Sequence, residues 1–285
     1  MTSKHKIILL ITMLYVGYIL STTYVVVTAI GNEQELKCSQ TTKETVSIVD
    51  DIALKQTEMR NTVVQIQTHQ GSGSGTIIDR IDTDEEGEYE YRVLTNAHVT
   101  HSRLTKHILK VDSMTGKIHT GTIDTGCWVI TFDYEKRNKT GYMAKVISES
   151  AIKDLAMISF VSKEELDISN IPTKKMLKQV RVFDEVFAIG CQLGRNPSPT
   201  VGIISQILDR GRRTKEWLIY GTTAQITPGS SGGGLFKKYD NNYYLVGIPF
   251  RAMTEKNGQM FPHLAYAVSM TSAFGFIDQN AVTNP

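Results

Sequence analysis

The sequence predicts an all-β fold, two six-stranded antiparallel β-barrels meeting at a cleft, behind an N-terminal transmembrane helix. Three observations point there. From Thr62 onward, short runs rich in β-branched and aromatic residues alternate with Gly, Asp, Asn and Ser turns, the pattern of an all-β barrel or sandwich. These runs fall into two sets, separated by a polar connection over 162–180 that contains Ile171-Pro172. Ahead of both, residues 7–30 carry no charged side chain.

At 1.5 Å per residue, a helix over 7–30 measures about 36 Å, more than the roughly 30 Å hydrocarbon core of a bilayer. Lys4 and Lys6 precede this span, and Glu33 and Glu35 follow it. That bias places the N-terminus in the cytoplasm and everything after residue 31 on the far side. The rival reading is a cleaved signal peptide ending at Ala29-Ile30-Gly31, which would leave a secreted or periplasmic protein; the length of the span favours an uncleaved anchor. Residues 1–31 are therefore taken as the membrane segment and 32–61 as a polar linker. Within the linker, Val46, Val49, Ile52 and Ala53 recur at helical spacing.

Residues 62–285 form the main domain. Its first set of strands is expected at 62–68, 74–80, 88–95, 119–131, 143–149 and 154–161. The second is expected at 181–190, 199–208, 216–226, 242–250 and 263–269, with a closing helix from Ser272 to Asn280. A hydrophobic content of 41% is ample for a packed core. The net charge of +2 speaks against nucleic acid as a partner, and no metal-ligand cluster or cofactor motif is present. Cys38, Cys127 and Cys191 are odd in number and far apart; isolated thiols are expected rather than a Cys127–Cys191 bridge.

Three segments carry chemistry. In Thr227-Pro228-Gly229-Ser230-Ser231-Gly232-Gly233-Gly234, a serine sits in a run of glycines that lets the chain turn sharply and expose a hydroxyl. A serine attacks an acyl carbon only when a base takes its proton and amides hold the oxyanion. His98 ends the apolar run Val93-Leu94-Thr95-Asn96-Ala97 and is the best-placed base; His101, His107 and His119 lie in a polar stretch. Asp154 opens the apolar strand Leu155–Phe160 and can accept the histidine N–H, with Asp124 and Asp133 as competitors. The order histidine, aspartate, serine is one of the known triad orders.

Together these segments resemble the trypsin-like (chymotrypsin-fold) serine proteases of the bacterial Deg/HtrA type, over residues 62–279. Gly71-Ser72-Gly73-Ser74-Gly75-Thr76-Ile77-Ile78 resembles the family's glycine-rich hairpin. Ala188–Gly194 and Val201–Ser205 resemble the opening strands of its second barrel, and Leu245-Val246-Gly247-Ile248 the strand after the nucleophile loop. The resemblance implies a serine endopeptidase acting on protein or peptide substrates, without cofactor, in extracytoplasmic protein quality control. It implies His98 as general base, Asp154 as its orienter and Ser231 as nucleophile, with the amides of Gly229, Ser230 and Ser231 as the oxyanion hole. Gly229-Ser230-Ser231-Gly232-Gly233 fits the family's glycine, any residue, serine, glycine, glycine pattern, which selects Ser231 over Ser230.

The chain departs from the family in three ways. Gly234 stands where many relatives have proline or alanine. The stretch between His98 and Asp154 is long, with the excess expected in 112–142, around Cys127, Trp128 and Asn138. The peptide-binding PDZ domain of many Deg enzymes is expected to be absent. The family layout also implies a primary pocket walled by Gln225, Ile226, Phe250, Arg251, Ala252 and Ala267. With no acidic residue among them, the pocket suits small to medium apolar side chains. The alternative function is a membrane-tethered protein-binding scaffold with vestigial catalysis, against which the intact triad and glycines argue.

Overall fold

The computed structural model describes residues 51–69, 71–100, 106–111, 115, 118–122, 126–134, 136–210 and 217–281. The span 7–30 with its flanking charges, Cys38, Val46, Val49, His101 and Asp124 lie outside the described residues. Among those described, no helix is long and apolar enough to cross a membrane. The chain divides into two compact units, Met1–Leu54 and Lys55–Pro285; only residues 51–54 of the first are described, and they are helical.

The second unit opens with the rest of helix α1 (51–61) and, among the described residues, contains fourteen strands. The first closed barrel uses β1 (Val63–Thr68), β2 (Gly71–Asp82), β3 (Tyr89–Thr95), β6 (Cys127–Asp133), β7 (Asn138–Ser150) and β8 (Leu155–Ser162). They close in the order β1-β2-β3-β8-β7-β6, every pair antiparallel. Helix α2 (Lys174–Leu177) lies in the connection. The second barrel uses β9 (Glu185–Gly190), β10 (Ser198–Asp209), β11 (Leu218–Thr222), β12 (Gly234–Tyr239), β13 (Asn242–Thr254) and β14 (Met260–Ser269). These close in the order β10-β11-β14-β13-β12-β9, and α3 (Met270–Ala281) follows. The two closed six-stranded antiparallel barrels expected from the sequence are therefore present.

The side-chain alternation of strands explains the near-continuous apolar runs. Along β8, Ile158 and Phe160 point into the first barrel with Val64, Ile66, Ile77, Tyr91 and Val129. Leu155 and Met157 point the other way, into a larger cluster shared with Val186, Ile189, Leu235, Phe236, Leu245 and Val268 of the second barrel. A strand buried on both faces has no polar face to show in its sequence. Met59 of α1 also belongs to this shared cluster, so the end of the expected linker packs as part of the domain.

Four sequence expectations need correction. The run 119–131 is two strands, β5 (Ile118–Thr122) and β6, and among the described residues β5 pairs only with β4 (Lys106–Val111), in a separate two-stranded sheet. Within the expected excess at 112–142, Cys127 and Val129 alternate inward as core residues of β6, so that part belongs to the first barrel. Strand β7 starts at Asn138, where its polar outer positions had hidden it. Strand β12 was missed: a glycine start and Lys237-Lys238 at its end obscure the buried Leu235 and Phe236.

Candidate active site

His98 sits in consecutive tight turns just past the end of β3, where Val99 N–H donates to the Asn96 carbonyl (3.1 Å) and Thr100 N–H to that of Ala97 (3.2 Å). Asp154 meets it from the turn before β8, with a left-handed φ of 52°. The carboxylate accepts twice from one residue: the His98 backbone N–H reaches Oδ1 at 3.0 Å, and ring Nδ1 reaches Oδ2 at 2.8 Å. An ionised carboxylate only accepts, so Nδ1 carries the proton and Nε2 is left with a lone pair to accept one. Asn96, fully buried, secures the turn by donating to the Asp154 carbonyl (2.8 Å). Asp133, the rival orienter, instead pairs with Lys136 at 3.1 Å at the end of β6.

The serine loop is held by its own backbone. Ser230 N–H donates to the Thr227 carbonyl (2.9 Å), Gly233 N–H to that of Ser230 (3.1 Å), and Gly232 N–H to that of Pro249 (2.9 Å). Leu193 N–H takes the Pro228 carbonyl at 2.7 Å. Among the described residues, the amides of Gly229 and Ser231 have no acceptor, so two unengaged donors flank Ser230. The Ser230 amide, also expected in the hole, is taken by the Thr227 carbonyl in this conformation. The adjacent serines are also distinguished by burial. Ser230 is buried with Oγ on Thr227 N–H, whereas Ser231 is half-exposed.

Two glycines are obligatory here. Gly229 has a φ of 91°, and a Cβ there would lie 2.4 Å from the Cys191 carbonyl oxygen. Gly232 has a φ of 85°, and its Cβ would lie 2.1 Å from the Ser74 carbonyl oxygen and 2.2 Å from Thr95 Oγ1. The second contact brings the serine loop against the end of β3, two residues before Ala97-His98. In this conformation Ser231 Oγ donates to the Phe250 carbonyl at 3.4 Å, and no hydrogen bond joins it to the His98 ring.

Ser74 is the residue that sequence reasoning passed over. It is fully buried, and all its polar atoms are engaged. Its N–H donates to the Ser231 carbonyl (2.8 Å), its carbonyl accepts from Thr95 Oγ1 (2.6 Å), and its Oγ accepts from Cys191 N–H (2.7 Å) while donating to the Gly229 carbonyl (2.6 Å). One serine of the first barrel thus fixes both ends of the proposed oxyanion loop. A serine flanked by glycines gave no local sign of this, since its partners lie far along the chain.

Cys127 and Cys191 are buried thiols that are not joined in a disulfide, in line with the expected isolated thiols. Burial pushes the Cys191 thiol up to about 12, so it is no rival nucleophile at neutral pH. Of the expected pocket residues, Ile226 and Ala267 are buried in the shared cluster, and Phe250 and Ala252 pack half-buried against it. Gln225 and Arg251 are exposed. Ile226 N–H donates to the Pro262 carbonyl (3.0 Å), tying the loop to β14.

The family described as trypsin-like peptidase domain matches residues 73–248, a stretch containing His98, Asp154 and Ser231. A curated relative, a probable periplasmic serine endoprotease, DegP-like, from Pseudomonas fulva (strain 12-X), is 30% identical over 139 residues, 48% of this chain and 26% of its own. The chain thus spans about a quarter of that relative's length. Two solved structures share the fold at 22% identity: the HtrA-type protease AlgW with a serine-to-alanine substitution and a tripeptide, and AlgW with a tripeptide. The first has a TM-score of 0.55, covering 81% of this chain and 64% of AlgW. The second has a TM-score of 0.54, covering 80% and 62%. With two closed barrels, the His98–Asp154 pair and the glycine-framed Ser231 inside the matched stretch, this chain belongs to the trypsin-like peptidase domain family.

Proposed function

We propose that this chain is a serine endopeptidase in which Ser231 is the nucleophile, His98 the general base and Asp154 its orienter. The observation that carries this is the pairing of a doubly bonded His98–Asp154 unit with a serine loop whose Gly229 and Ser231 amides are unsatisfied. His98 Nε2 takes the Ser231 proton as Oγ attacks the scissile carbonyl, and the imidazolium formed is stabilised by Asp154. The Gly229 and Ser231 amides hold the tetrahedral oxyanion. His98 then protonates the leaving amine, and water, activated by the same base, releases the acyl group.

The Phe250 carbonyl has a place in this sequence. An extended substrate that pairs with the edge of β13 brings its own backbone N–H to that oxygen. This would displace the long bond from Ser231 Oγ and free the hydroxyl for His98. A fluorophosphonate tests the assignment by forming a covalent bond to an activated serine only. We expect labelling of the native chain and of Ser230→Ala, and none of Ser231→Ala. Failure of the native chain to label would favour the scaffold reading.

The organisation proposed around this domain is a membrane anchor over 1–31 and a linker over 32–61, with the protease domain, 62–285, outside the cytoplasm and acting on unfolded or damaged proteins. The uncharged span 7–30, the lysines before it and the periplasmic naming of the DegP-like relative support it. Protease added to spheroplasts should then digest the domain; complete protection would remove the topology. The primary pocket is proposed between Ile226, Phe250, Ala252 and Ala267, with Gln225 and Arg251 at its rim. A lysine or arginine there would lose hydration without gaining a carboxylate, at a cost of several kcal/mol. Cleavage-site profiling on casein should show Val, Ala, Ile or Leu before the scissile bond, and a preference for Lys or Arg would refute the pocket.

A further inference from the structure

Between α2, one side of α3 and the turn before β8 lies a cavity of about 500 Å³, within the size range of small-molecule sites. Its apolar wall comes from Leu177, which is buried, and from Leu218 and Phe274, which are half-buried. Lys153, Lys174 and Lys178 stand around it. Lys153 Nζ donates to the Ser272 carbonyl at 3.1 Å, and Lys174 Nζ lies 5.9 Å from the centre of the Phe274 ring. Among the described residues, none of these lysines forms an ion pair. Among the described residues, Asp278 is the one carboxylate on the wall, so three described ammonium groups stand against one described carboxylate. The proposed catalytic chemistry uses none of these groups.

We propose that this cavity binds a monomeric amphiphile with a single alkyl or acyl chain and an anionic headgroup, a carboxylate or a phosphate monoester. The headgroup meets the lysines in charge-assisted hydrogen bonds, and the chain lies on Leu177, Leu218 and Phe274. Concavity argues for a single molecule over a bilayer surface, because docking on a leaflet uses an apolar face that projects. Occupancy reaches the proposed catalytic aspartate through Lys153, its immediate neighbour in the chain. An anion that draws Nζ from the Ser272 carbonyl acts on the turn that presents Asp154 at its positive φ, and slows acylation of Ser231. This last step rests on the protease reading; the binding step does not.

The test uses the full chain in phosphatidylcholine nanodiscs, with a diazirine-bearing dodecanoate as photo-crosslinker and adducts mapped by mass spectrometry. We expect adducts on the segments holding Leu177, Leu218 and Phe274, competed by dodecanoate and dodecyl phosphate but not by dodecyltrimethylammonium. Lys174→Glu with Lys178→Glu should cut their yield by about tenfold or more, as expected for lost charge-assisted contacts. Lys174→Arg with Lys178→Arg should retain it. Both lysines are exposed, so the fold should persist; unchanged thermal melting checks that. Adducts scattered elsewhere, equal competition by the cationic amphiphile, or unchanged yield on charge reversal would overturn the site. So would labelling only in discs doped with anionic lipid, which would mean docking on a membrane surface. Fluorophosphonate labelling of Ser231 should slow when dodecanoate is added, and an unchanged rate at full occupancy would overturn the coupling. Because adducts are read without catalysis, an inactive Ser231 would not obscure them.

Discussion

The two barrels supply their halves of the proposed site by opposite means. The first presents His98 and Asp154, partly exposed at 43% and 25% of their side chains, and fixes them by side-chain hydrogen bonds. The second presents Ser231 on a loop fixed by backbone hydrogen bonds and by glycines with no room for a Cβ. The difference teaches where each half is vulnerable. In the first barrel, an isosteric change of one atom should impair the proposed chemistry and spare the fold. In the second, the proposed chemistry depends on backbone position, so residues that never touch substrate should matter as well as the nucleophile.

The largest effect sharpens the contrast between neighbours on the second half. Ser231→Ala should lower turnover by about 10⁶, whereas Ser230→Ala, whose hydroxyl meets only Thr227 N–H, should retain measurable hydrolysis. Steady-state kinetics on casein checks both, and reversed phenotypes would move the nucleophile by one residue. Asp154→Asn probes the first half and should cost about 10⁴ in turnover through the wrong histidine tautomer. Asparagine accepts a positive φ, so circular dichroism should be unchanged. A mutant with near-native kinetics would break the claim that orientation by side chains governs this barrel.

Ser74→Ala crosses between the halves. It strands the buried Cys191 N–H and the half-buried Gly229 carbonyl without a partner, at about 1–3 kcal/mol of stability. Turnover should fall by about 10², with KM little changed, because the oxyanion amides act in the transition state. A rise in KM alone would show that Ser74 shapes substrate binding instead. Weakened inhibition by a peptide aldehyde, with product-peptide binding unchanged, would support the proposed role.

The smallest effect concerns alkaline pH. The Cys191 thiol is raised by burial from 9.0 to about 12 in the folded chain, so the unfolded chain releases its proton first. Stability from this group is complete below about pH 9 and declines as pH rises from there toward 12. Urea unfolding across that window should show the decline, and Cys191→Ala should flatten it between pH 9 and 10. Rapid alkylation of native Cys191 at pH 8 would contradict the burial behind this.

Much of the fold was legible because barrel strands alternate and turns announce themselves. The runs 62–68, 88–95 and 181–190 lie within a few residues of β1, β3 and β9. Strand β12 and the start of β7 were not legible, because lysines and glycines there satisfy barrel geometry without an apolar pattern. The candidate site divides in the same way. His98, Asp154 and Ser231 each stand at the end of a recognisable segment, and their types and order suffice to suggest nucleophilic chemistry.

By itself, the sequence determined the all-β class, the two sets of strands and the three residue types that bear the proposed chemistry. These are local properties: side-chain periodicity, turn propensity and the reactivity of a hydroxyl, an imidazole and a carboxylate. The tertiary structure alone decided which aspartate faces His98, which of two adjacent serines is exposed and which amides stay unsatisfied. It alone showed that Ser74 ties the first barrel to the serine loop. Those facts depend on hydrogen bonds between residues distant in sequence, 155 positions apart for Ser74 and Gly229. Such a bond forms only when closing both barrels brings donor and acceptor within 3 Å or so, and no single segment encodes that distance.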